Sequence, residues 1–377
     1  MKSATPNHAA DRWLIGILRE QPVPFAKCPH ISEHAVMERG GYHGILSLVA
    51  HLLSQQPQSA ICPATLRQKL RMHVLQSAAG DLAVEQELKQ VFLALDQADI
   101  PFLLLKGAAL AHNLYPAPYL RERCDVDLLF PDKTLTENAW DILQKHGYQR
   151  SRTLQGDYVG YQFSGFRQLN SKLSVAFDIH SKINDYGFFA RLFPFTELMA
   201  HSQPVVIAGR QTRGLSHPYA LAHACIHRAT NIPHGIADRM IWIVDIHLLC
   251  SSFNAHQWRE FETLAIDKGL AGICLDTIDQ SRELLGTAIP TDTINQFREA
   301  AKKEKLQPAK MRSRRALYQL DFHANQGLGN KMRQLREHLF PSPEYMMNKY
   351  SLNSPLKLPY YYGLRIIQGF KKYSRQN

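Results

Sequence analysis

The sequence predicts an α+β fold, a mixed sheet flanked by helical regions on either side of it in the chain. Three observations carry this. Up to residue 99, apolar side chains recur at spacings of three and four, as amphipathic helices require. From 100 to about 210 they come in short runs or strict alternation broken by glycine and proline, the pattern of strands and turns. Helical spacing returns near His217. The expected organisation is a helical region at 1–99, an α/β core at 100–215, a second helical region at 216–340 and a basic, aromatic segment at 341–377.

With 377 residues the chain can bury a sizeable core in two or three subdomains. Its 45% hydrophobic and 20% charged residues are those of a globular protein, which excludes a disordered chain. No run of about eighteen apolar residues occurs, so no transmembrane anchor is expected. The opening Met1-Lys-Ser-Ala-Thr-Pro lacks the apolar stretch of a signal peptide, and a cytoplasmic location is expected. Cysteines at 28, 62, 124, 225, 250 and 274 form no Cys-x-x-Cys pair, which argues against a zinc knuckle or a disulfide framework. Cys124 reads as a small buried thiol without a catalytic part.

Taken in order, helices are expected at 14–18, 42–53 and 63–99, with Pro63 in a first turn and Ile100-Pro101 as the stop. His43 and His51 read as packing or surface residues. Leu103 to Leu105 then reads as a buried strand that runs straight into Lys106-Gly107 and a helix beginning at Ala108. A strand, a tight turn and a helix N-terminus present unpaired backbone amides, an anion site to which Lys106 adds a positive charge.

Residues 124–130 read as the next strand, apolar except for Asp125 and Asp127. Side chains two apart on a strand point the same way, so the two carboxylates would stand side by side. Like charges placed so closely call for a cation or a proton, and hard divalent cations are held by one or two carboxylates together with substrate phosphates. A phosphate cradle followed by a paired-carboxylate strand describes phosphoryl-transfer chemistry. A helix at 136–146 follows, then strand-like runs at 148–153 and 158–163, a strand at 173–180 and a last one at 205–207.

The string Leu-Lys-Gly-Ala-Ala-Leu, then Leu114-Tyr115-Pro116, Arg121 and Asp125-Val126-Asp127-Leu128-Leu129, resembles the uncharacterised nucleotidyltransferase family of the DNA polymerase β superfamily. Leu339-Phe340-Pro341-Ser342-Pro343 and the Pro-Tyr-Tyr-Tyr of the C-terminal segment resemble it too. The resemblance implies a polymerase β-like mixed sheet, an NTP substrate, and Mg²⁺ or Mn²⁺ held by Asp125, Asp127 and a third carboxylate on a later strand. Asp178 takes that place, since the family's acidic residue, one residue and histidine match Asp178-Ile179-His180. Lys106-Gly107 stands where the superfamily has Gly-Ser, so amides replace the serine hydroxyl at the phosphates. Nucleotide contacts would then come from Lys106, Gly107, Arg121 and His180. The acceptor it implies is a hydroxyl of a sugar, peptide or protein.

Other readings compete. His223 and His227 lie four apart on one helical face, with Asp245 and His247 after them, a set that a metal phosphohydrolase would use. Arg239, Trp242 and Asp245 could instead form a polar seam near a nucleotide, as the resembling family carries a similar histidine helix and later aspartate. A non-catalytic nucleotide-binding scaffold is a further alternative. Residues 301–377 hold 16 Lys and Arg against 4 Asp and Glu, while the other 300 residues are nearly neutral. Lys302, Lys303, Lys305, Lys310, Arg312, Arg314 and Arg315 form one cluster, and Lys371, Lys372 and Arg375 end the chain. Such a segment suits an anionic surface or an RNA 3′ end, the acceptor of an alternative nucleotidyltransferase reading.

Overall fold

The computed structural model describes residues 9–56, 61–151, 153–154, 156–171, 173–236 and 239–374. Arg375 lies outside the described residues, as do the side chains of Lys310, Phe370, Lys371 and Lys372. Seven strands form one mixed sheet: β1 (Leu103–Leu105), β2 (Val126–Leu129), β3 (Gln149–Arg150), β4 (Gln162–Gln168), β5 (Ser174–His180), β6 (Ser202–Ile207) and β7 (Arg210–Leu215). Their order is β3-β4-β5-β2-β1-β7-β6. The fold is α+β, and the chain divides into two compact units.

The first unit comprises Met1–Gln90, Leu104–Val126 and His201–Pro308. Leu104 pairs in parallel with Gly214, and β6 and β7 form an antiparallel hairpin. Helices His217–Asn231, Met240–Ser252, Ala255–Asp267 and Ala271–Leu285 pack on one another around Leu221, Ile226, Ile246, Phe261 and Ile278. These are apolar positions at helical spacing, and their burial supplies the driving force. The second unit comprises Val91–Leu103, Asp127–Ala200 and Ala309–Asn377. In it β4 and β5 pair over their full lengths, with Ser164 opposite Asp178 and Gln162 opposite His180. The amide of Phe130, just past β2, donates to the carbonyl of His180 at 2.9 Å. Phe130, Phe177, Ile179 and Phe189 fill the core beneath.

Several boundaries differ from the sequence reading. The apolar run 42–53 is two helices, Glu33–His43 and Leu46–Ser54, because Gly44 takes a left-handed conformation (φ 69°) that ends the first. The strand expected at 124–130 begins only at Val126, leaving Asp125 one residue outside it and Cys124 exposed rather than buried. The run at 158–163 becomes a strand at Gln162 and extends to Gln168, set by its pairing with β5. Strand β7, Arg-Gln-Thr-Arg-Gly-Leu, was not expected: its polar composition hides it, and pairing with β6 and β1 defines it.

Candidate active site

In the first unit the chain leaves β1 and enters helix Lys106–Leu114 without an intervening loop. Leu105 is extended and Lys106 takes φ 47°, a left-handed conformation that costs a residue with a Cβ about 1 to 3 kcal/mol. The turn is thus made at the lysine. Gly107 answers a different need: a Cβ there would lie 2.6 Å from Nη1 and 2.9 Å from Cζ of Arg121. Only glycine lets that guanidinium lie against the backbone of the turn.

Arg121 is buried, at 7% exposure, and its charge is met by Asp245 at 4%. Nη2 donates to Oδ2 at 2.7 Å and Nε to Oδ1 at 3.3 Å, a two-pronged contact, while Nη1 donates to the Glu122 carbonyl at 3.0 Å. The Tyr115 hydroxyl donates to Asp245 Oδ1 at 2.7 Å. Burial alone would lower the pKa of Arg121, but the charge and hydrogen bonds of Asp245 reverse this and raise it, with Asp125 among the smaller contributors. Burial and the neighbouring Asp245 charge raise the Tyr115 phenol far above its ordinary value, so it remains a donor. Arg121, Gly107 and Asp245, separately singled out in the sequence, therefore belong to one buried cluster, and Tyr115 joins them.

In the second unit, β2 and β5 bring together Asp127, Asp178 and His180. One ligand atom from each lies within 4.8 Å of the others, and this is the one such group of three among the described residues. Asp127 and His180 are buried, and the His180 Nε2 to Asp127 Oδ1 distance is 2.9 Å. Asp178 is half-buried and accepts a hydrogen bond from the Ser164 hydroxyl at 2.6 Å. Ser164 was not singled out in the sequence. It is found only through the β4/β5 register, which sets it opposite Asp178. Two carboxylates and an imidazole, held by strands and by partners of their own, suit a divalent cation. Asp125 stands outside this group of three.

The remaining sequence candidates lie in the first unit. His223 is buried, and the His227 ring meets Trp242 edge-on at 4.6 Å. Asp245 is committed to Arg121, and His247 Nδ1 lies 2.9 Å from the Thr287 hydroxyl. Arg239 donates to the carbonyl of Tyr42 at 3.1 Å, and its guanidinium lies 5.7 Å from the Trp242 ring centre. Among the described residues these side chains form no metal-holding group.

Residues 30–286 match the family model described as uncharacterised nucleotidyltransferase. No curated protein matches the chain. Among solved structures, the chain is similar to the antibiotic-resistance factor ANT(2″)-Ia at 16% identity, over 49% of this chain and 90% of that one, with a TM-score of 0.33. It is also similar to an antigenic nucleotidyltransferase-like protein from Paracoccidioides brasiliensis at 18% identity, over 56% and 96%, with a TM-score of 0.36.

Proposed function

The chain belongs to the uncharacterised nucleotidyltransferase family, and from that premise we propose that it moves an NMP from an NTP to an acceptor hydroxyl of a sugar, peptide or protein, releasing pyrophosphate. The observation that carries the reading is the Asp127, Asp178 and His180 group. In this reading Asp125, Asp127 and Asp178 hold Mg²⁺ or Mn²⁺, which when bound would lower the pKa of the acceptor hydroxyl and offset phosphate charge. His180 fixes the orientation of Asp127, and Ser164 that of Asp178, as hydrogen-bonded partners of ligands do. Lys106 and the amides from Gly107 onward bind the β and γ phosphates. Arg121, its own charge met by Asp245, holds that turn in shape through its contact with Gly107. A cytoplasmic location, where NTPs are supplied, accords with this chemistry.

Calorimetry with each NTP, with and without Mg²⁺, tests this on wild type and on the Asp125→Asn/Asp127→Asn variant. The expected result is binding of an NTP only with metal, lost in the variant while its melting temperature holds. Binding of no NTP, or equal binding by the variant, overturns the proposal.

A further inference from the structure

Helix Leu328–Leu339 in the second unit is amphipathic in the reverse of the usual sense. Its inward face is polar. Asn330 accepts from the Tyr158 hydroxyl at 2.8 Å, and Gln334 bridges Asn325 and Asp321 at 2.9 and 2.8 Å. Glu337 accepts the backbone amides of Asp157 and Tyr158 at 3.1 and 2.8 Å. Positions 330, 334 and 337 recur at four and three and so share a face; 328, 332 and 335 recur the same way and share another. That second face carries Leu328, Met332 and Leu335, exposed at 77%, 55% and 41%. Soluble helices turn such a stripe inward. Here hydrogen bonds on the polar face fix the helix the other way round, and the apolar stripe is left to the solvent.

The stripe does not stand alone. Helix Leu358–Ser374 packs on this one, with Arg365 donating to the His338 carbonyl at 3.0 and 3.2 Å and Phe340 lying 5.8 Å from Tyr362. It too exposes apolar side chains seven apart, Tyr360 and Ile367, with Leu356 just before it at 89% exposure. Between and beside these positions stand Lys331, Arg336 and Lys357, in the segment with 16 basic and 4 acidic residues. The charge narrows the choice of occupant. A second copy would set basic segment against basic segment, and of these exposed apolar side chains Tyr360 alone offers a nucleic-acid base a stacking surface, the rest being aliphatic. An anionic bilayer accepts both features, with phosphates meeting the cations and the upper acyl region taking the aliphatic side chains. No described helix is long and apolar enough to cross a membrane, so the contact is at the surface.

We propose that this face of the second unit docks on an anionic lipid surface, with Leu328, Met332 and Leu335 inserted and the neighbouring Lys and Arg at the headgroups. The test is flotation of the full chain with vesicles of phosphatidylcholine alone or mixed with phosphatidylglycerol. Two variants accompany it, Met332→Asp/Leu335→Asp and Arg336→Glu/Lys357→Glu. Both alter exposed side chains, and circular dichroism melting checks that each folds as wild type does. Wild type is expected to float with the anionic vesicles only. Each variant is expected to lose binding by about tenfold or more, as two lost insertions or two reversed charges at a surface imply. Absence of wild-type binding to anionic vesicles at low salt overturns the proposal, as does undiminished binding by the aspartate variant. So does wild-type dimerisation that the aspartate variant abolishes without vesicle binding by either protein, since the face would then cover a second copy.

Discussion

Two buried polar clusters, one in each unit, solve the problem of charge in opposite ways. Around Gly107 one guanidinium meets one carboxylate head-on, with a tyrosine hydroxyl on the same oxygen. The positive and negative charges match, and the geometry leaves the pair committed to each other. Around His180 two carboxylates share a site with one imidazole. Asp127 is met by the imidazole and Asp178 by the Ser164 hydroxyl. A guanidinium paired with a carboxylate suits the holding of a backbone in place, whereas two carboxylates beside an imidazole suit a cation. The contrast explains why Arg121 and Asp127, both prominent in the sequence, are assigned different work.

The sharpest way to break the comparison is to neutralise the carboxylates beside His180. Asp127→Asn and Asp178→Asn are each expected to lower metal-dependent nucleotide transfer by about a thousandfold or more, since a metal's charge stabilisation amounts to several kcal/mol. Thermal stability without metal is expected to hold or rise, because a like-charge repulsion goes with the lost carboxylate. A turnover assay beside calorimetric melting separates the two effects, and a variant that loses stability in parallel with activity would make this cluster structural as well.

The matched pair should behave in the opposite manner. Asp245→Ala leaves a buried guanidinium without its counter-charge and is expected to destabilise the protein by about 3 to 5 kcal/mol. Replacing both partners together, as in Arg121→Met/Asp245→Leu, is expected to recover most of that loss in denaturant melts. No recovery would mean that the pair contributes more than mutual neutralisation.

Gly107→Ala probes the join between the cluster and the turn. The added methyl meets the Arg121 guanidinium, and overpacking of this kind costs about 1 to 3 kcal/mol. Arg121→Lys, with a slimmer head group, should relieve part of it. Additive effects in the double variant would show that the clash is not with Arg121.

A gentler perturbation is pH. His43 in the first unit is buried, and its Nδ1 accepts the Met240 amide at 3.2 Å. Burial, only partly opposed by Asp11, lowers its pKa to about 4. The unfolded chain takes up that proton near the ordinary value, the folded chain only near 4. The resulting stability is therefore complete above about pH 6.5 and is lost as pH falls through the window towards 4, by at most about 1.4 kcal/mol per pH unit. Urea melts across this range should show the slope, and His43→Gln should flatten it.

Much of the site's vocabulary is legible in the order of residues. Apolar spacing of three and four marks the early helices, because helix burial repeats with the backbone's own period. Alternation through 173–180 places Asp178 and His180 on one face for the same local reason. The strand, Lys106-Gly107 and helix succession is likewise readable, since strand and helix signals meet there without a gap.

What tertiary structure alone decides is which groups meet. Asp127 and His180 are 53 positions apart and Arg121 and Asp245 are 124 apart, and no periodicity links such distances. The reason for Gly107 lies in Arg121 rather than in its own φ, a fact that exists only once the guanidinium is packed there. Ser164 becomes the partner of Asp178 through register, and β7 becomes a strand through its neighbours. The reversed helix Leu328–Leu339 has the same origin. Leu328, Met332 and Leu335 share a helical face, but the hydrogen bonds of Asn330 and Glu337 to the distant segment at 157–158, with that of Gln334 to Asp321, are what turn that face outward. Local sequence sets what each segment prefers, and long-range pairing of buried polar groups, which cannot be left unsatisfied, selects the arrangement in which those preferences are realised.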